Sequence, residues 1–114
     1  MKIKVYRENR RQFKNYADPI TVLFPYPKRL QEREHARAFF IAGNFGSDGR
    51  WNRLHSGDIP RGVYINGNQC YLGKKLRLAD IPDLAREEIE RVGKIWNEAV
   101  TKDTDEAWER WNEC

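Results

Sequence analysis

The chain has 114 residues, 39% of them hydrophobic and 33% charged, with 21 Lys and Arg against 17 Asp and Glu for a net charge of +4. That length suits one domain with one core, residues 1–114, and no apolar run approaches the ~20 residues a membrane span needs. A charged N-terminus speaks against a secretory signal, and two Cys with two His at no ligand spacing speak against a zinc site; the expectation is a soluble cytoplasmic protein without metal or cofactor.

Ile3 and Val5 alternate with Lys2, Lys4 and Tyr6, the period of a half-buried strand. After Asp18-Pro19, the β-branched run Ile20–Phe24 predicts a second, more buried strand, ended by Pro25 and Pro27. The run of helix formers from Lys28 to Arg37 predicts a short surface helix. Ala38–Ala42 returns to strand character, and Gly43–Gly49 reads as a loop. Trp51 and Leu54 begin another strand, followed by a loop over Ser56–Pro60.

Val63–Ile65 and Gln69–Leu72 flank Asn66-Gly67, the dipeptide that supplies the positive φ angles of a tight hairpin. Leu76–Leu78 extends the sheet. Asp80 is placed to cap a long helix, with Pro82 and Asp83 in its first turn. Leu84, Ile89, Val92, Ile95, Trp96, Ala99 and Val100 trace its apolar stripe, and Glu87–Arg91 and Glu90–Lys94 stand at i,i+4 spacing. Asp103–Glu106 has the pattern of a capping box for a last helix, whose Trp108 and Trp111 are expected to fold back on the core. The fold class is therefore α+β: a small antiparallel sheet of five or six short strands with a C-terminal helical pair on one face.

Charge is uneven. Residues 1–53 carry twelve Lys and Arg against five acids, and residues 54–114 carry nine against twelve. The first sixteen residues concentrate the excess: Lys2, Lys4, Arg7, Arg10, Arg11 and Lys14 against Glu8 alone, interleaved with Tyr6, Phe13 and Tyr16. Cations neutralise phosphates and rings stack on bases, so the mixture suits nucleic acid. It equally suits a solvated edge strand, where Lys blocks edge-to-edge pairing. A second candidate group is Arg50, Trp51 and Arg53 beyond the glycines of the loop, able to grip an anion and stack on a ring. His35 and His55 stand in no recognisable nucleophile arrangement.

Gly62-Val63-Tyr64 and Tyr71-Leu72-Gly73 resemble the paired GIY and YIG signatures of a nuclease family. The resemblance implies metal-dependent phosphodiester cleavage by Tyr64, with Arg77 or Arg86 and one of Glu87, Glu88 or Glu90 as counterparts. The two tripeptides stand six residues apart, closer than is usual in that family. An Asn-Gly hairpin with flanking glycines accounts for the same letters. The leading expectation is accordingly non-catalytic binding of nucleic acid through the basic N-terminal surface. The alternative is an interaction module, such as a phage- or mobile-element-type inhibitor, docking an acidic protein surface.

Overall fold

In a computed structural model, which describes residues 2–60 and 72–114 and, of Gln12, the backbone alone, the chain folds as the expected α+β arrangement. Strands β1 (Lys4–Glu8), β2 (Pro19–Pro25), β3 (Ala36–Phe45), β4 (Trp51–Pro60) and β5 (Leu72–Leu76) form one antiparallel sheet in the order β4-β3-β2-β1-β5. Helix α1 (Lys28–Glu34) joins β2 to β3, and α2 (Asp83–Lys102) and α3 (Asp105–Asn112) follow the sheet. Among the described residues no helix is long and apolar enough to cross a membrane. The hairpin expected around Asn66-Gly67, the tyrosines of the GVY and YLG pair and Cys70 lie outside the described residues.

Alternation along the strands divides the sheet into two faces. One face presents Val5, Ile20, Val22, Phe24, Ile41, Phe45 and Leu76 to α2, whose Ala85, Ile89, Val92, Trp96, Ala99 and Val100 are buried against it. Trp96 sits at the centre, stacked on Phe39 at 5.3 Å between ring centroids and edge-on to Tyr26 at 4.9 Å and Trp111 at 5.0 Å. Trp108 and Trp111 do fold back on this core. The opposite face carries a smaller cluster of Tyr6, Leu23, Phe40 and Ala42, closed by Phe13 from the segment between β1 and β2.

Several local expectations are corrected. The N-terminal strand is not at an edge, because β1 pairs with β2 on one side and β5 on the other. Helix α1 stops at Glu34, where His35 takes a left-handed conformation (φ 53°) and donates its N–H to Gln31 and Glu32. β3 runs through to Phe45, so the turn is confined to Gly46–Arg50. Gly43 lies within the strand at a bulge, where an added Cβ would stand 1.9 Å from the Asn52 carbonyl oxygen. Ser56–Pro60 is strand rather than loop, held by pairing to β3 and by the Tyr26 hydroxyl donating to Asp58 at 2.8 Å. Leu78 leaves the sheet for a 3₁₀ turn (Leu78–Asp80), which Asp80 closes by accepting from the Arg77 N–H at 3.1 Å; the residue capping α2 is Pro82. Thr104, not Asp103, caps α3, its hydroxyl accepting from Ala107 N–H. Arg91 pairs with Glu88 at i,i+3 instead of Glu87.

Leu84 is 46% exposed and lies off the buried stripe, which Ala85 occupies instead. Ile89→Ala should therefore cost about 2–5 kcal/mol, as core truncations do. Leu84→Ala, at a surface position, should stay within about 0.5 kcal/mol. Chemical denaturation midpoints of the two variants check both, and equal losses would place Leu84 in the core.

Asp103 occupies the left-handed turn between α2 and α3 (φ 53°). It accepts from Arg33 at 2.7 Å and from the Trp108 indole at 2.7 Å. Those bonds, the Arg33 one foremost, pull its carboxyl down from 3.8 to about 2. A carboxyl depressed in the folded state adds stability that is complete above its unfolded value and is lost as pH falls. Unfolding titrations between pH 4 and 2 should show that loss, and Asp103→Asn, which tolerates the left-handed turn, should flatten the same window.

Candidate nucleic-acid interface

β1 places its side chains by parity. Tyr6 stands directly opposite Thr21 of β2, Ala42 of β3 lies next, and all are on the face away from α2. Glu8 shares that parity and is buried. A buried carboxylate needs partners, and the local sequence supplies them. Thr21 donates its hydroxyl to Glu8 at 2.8 Å, and Arg10 forms an ion pair with the same carboxylate. The Arg10 guanidinium also lies over the rings of Phe13 at 4.9 Å and Phe40 at 4.6 Å. His55 of β4 completes this group, its ring centroid 6.0 Å from Phe13 and 5.8 Å from Phe40.

The aromatic half of the expected interface is thus internal. Tyr6 is 6% exposed and Phe13 4%, so neither presents a ring face to a base. The cations divide. Arg10 is committed to Glu8, and Arg7, of opposite parity, pairs with Asp18. Lys2 precedes the strand and is exposed. Lys4, opposite Leu23, points to the face away from α2, and so does Lys75 of β5, opposite Tyr6. Arg11 and Lys14 flank Phe13 on the segment packed over that face, and both are exposed.

The second candidate group lies on the other side of the sheet. Trp51, opposite Phe45, belongs to the α2 core at 7% exposure. Arg53 lies 5.7 Å from its ring and reaches the Cys114 carbonyl at 3.4 Å, while Arg50 pairs with Asp48. These residues border a cleft with Glu87, Glu88 and Arg91, so cations and acids alternate there. Arg50 and Arg53 therefore do not share a surface with Lys4, Arg11 and Lys14.

Sequence reading missed Lys75 as a member of the basic face, and it missed the structural use of Arg10. The signal for the second was present: Glu8 sits two residues from Tyr6 and so has to land on the same packed face. All acids of the described chain except Glu8, Asp18, Asp48 and Asp58 lie on or beside the helices. Each of those four is engaged, by Arg10, Arg7, Arg50 and Tyr26 respectively. Lys4, Lys75, Arg11 and Lys14 have no acidic partner among the described residues, so the sheet face away from α2 carries uncompensated positive charge. Of the nuclease counterparts, Arg77 is held by Asp80, Arg86 by Asp83 and Glu88 by Arg91. Among the described residues no three His, Cys, Asp or Glu side chains cluster as metal ligands.

Arg10→Ala strips Glu8 of its cation and should cost roughly 1–3 kcal/mol or more, the penalty for an unsatisfied buried polar group. Arg11→Ala should stay within about 0.5 kcal/mol. Thermal unfolding of the two single variants separates them; equal stability would show that Glu8 is hydrated without Arg10. Comparison of the chain with protein-family models, with curated proteins and with solved structures finds no match.

Proposed function

We propose that this protein is a non-catalytic nucleic-acid-binding protein that contacts the phosphate backbone through the sheet face opposite α2. The single observation that carries the reading is the charge partition: cations without acidic partners on one face, acids gathered on the helices behind it. Phosphate contact needs only positive charge at suitable spacing and is indifferent to base sequence. The burial of Tyr6, Phe13 and Trp51 argues against base stacking as the source of affinity. The cations involved are Lys4, Arg11, Lys14 and Lys75.

Binding to a labelled generic duplex and to a single strand across a salt series tests the proposal. Four phosphate contacts predict a duplex slope of log affinity against log salt of roughly −4. Lys4→Glu with Lys75→Glu should weaken binding at unchanged stability and make the slope shallower. Arg50→Glu with Arg53→Glu, on the other side of the sheet, should have the smaller effect. No binding at low salt, together with saturable binding to an acidic protein, would replace this reading with the interaction module.

A further inference from the structure

A cleft of about 560 Å³ opens between the β5 side of the sheet and the N-terminal half of α2. Its walls are mainly aliphatic: Ile3 before β1, Leu76 at the end of β5, Leu78 and Ile81 from the link to α2, and Ile89 of α2. Leu78 is 62% exposed, the most exposed of the large apolar side chains identified among the described residues. Exposed aliphatic surface beside an unfilled depression costs free energy in water and marks docking sites when it is continuous. Leu78 and the half-buried Ile3 stand at the mouth of the cleft, and the buried Leu76, Ile81 and Ile89 form its floor.

The rim gives the occupant a sign. Lys2, Lys75, Arg77 and Arg86 border the cleft against one carboxylate, Glu90. Arg77 and Arg86 hold Asp80 and Asp83 in exposed pairs at i,i+3, and Lys2 has no acidic partner among the described residues. Exposed pairs of this kind are weak, and a guanidinium has five donors, so both arginines retain capacity for a further carboxylate.

We propose that this cleft docks a short acidic-aliphatic segment of a partner protein. Its leucine- or isoleucine-type side chains enter between Leu78 and Ile89, and its flanking carboxylates pair with Lys2, Arg77 and Arg86. The cleft meets the basic sheet face at Lys75, while its aliphatic floor lies on the α2 side, so the protein would join a nucleic acid and an acidic protein segment at two adjoining sites. The proposal does not depend on the first contact being made.

The test uses the whole protein and a fluorescently labelled synthetic peptide of repeated Leu-Glu-Glu-Leu, with a Leu-Lys-Lys-Leu peptide and a Ser-Glu-Glu-Ser peptide as controls. Saturable binding of the first peptide alone is expected. Leu78→Glu, at an exposed position that leaves the fold intact, should weaken it by about tenfold or more by setting a carboxylate against the aliphatic contact. Leu54→Glu, an exposed leucine on β4, should leave it unchanged. Leu78→Ser, which adds no charge beside Lys75, should also weaken peptide binding and leave nucleic-acid binding at the parent's level, so loss of one site does not read as loss of the other. Equal binding of the two acidic peptides would overturn the proposal, as would indifference to Leu78→Glu. Binding of decanoate in preference to the Leu-Glu peptide would overturn it in favour of a free aliphatic acid.

Discussion

Trp96 governs how the two layers of this protein meet. Its indole is fully buried and touches rings from β2, β3 and α3, together with Tyr26 just beyond β2, so strands and helices share a single contact point. One buried Trp removes 150–250 Å² from water, in round numbers (~200 Å²), the largest contribution any single side chain makes. The helix that carries it also contains Gly93, three residues earlier. A Cβ there would stand 2.3 Å from Ile3 Cδ1. Glycine within a helix costs about 1 kcal/mol relative to alanine. Here it leaves room for the Ile3 side chain, while Trp96 stacks on Phe39. The seat of α2 on the sheet is centred on Trp96, and α3 follows from α2 through the Asp103 turn.

That seat also decides the electrostatics. With α2 and α3 fixed on one face, their carboxylates are held behind the sheet, and those near Lys or Arg are engaged locally, as Glu88 is by Arg91 and Glu98 by Lys102 and Arg110. The other face receives residues from β1 and β5 and from the segment between β1 and β2, which are rich in Lys and Arg. The imbalance between the two halves of the sequence thus becomes an imbalance between two faces.

The fold was legible where hydrophobic period and turn chemistry agreed. The strands at Ile3–Val5 and Ile20–Phe24 and the stripe of α2 needed only alternation or helical spacing. Legibility failed where tertiary contact overrode local preference. Ser56–Pro60 has the composition of a loop, yet pairing with β3 and the Tyr26–Asp58 bond hold it as strand. Leu84 fits the stripe by spacing but turns to solvent because Ala85 packs in its place. The candidate site was half legible: charge excess can be counted along a sequence, but partnership cannot. The parity of Glu8 with Tyr6 hints that Arg10 is needed there, but nothing in the sequence says that Arg7 is consumed by Asp18. Lys75, distant in sequence, joins the face only through β5 pairing with β1.

The pair between Glu8 and Arg10 links structure to recognition in a way that a charge count conceals. It contributes no net charge to the basic face, and burying an ion pair is at best a modest source of stability. Its geometric effect is larger. Arg10 ties the segment after β1 down to Glu8 and Thr21 and lies across Phe13 and Phe40, so the 3₁₀ turn at Arg11–Phe13 is held against the sheet. Phe13 then points inward, which leaves Arg11 and Lys14 on either side of it directed outward. Phe13, one of the rings that suggested base stacking, serves instead to anchor the segment that carries Arg11 and Lys14. A ring buried in this way holds charge in place, and a fixed charge loses less freedom in any contact than one carried on a mobile chain.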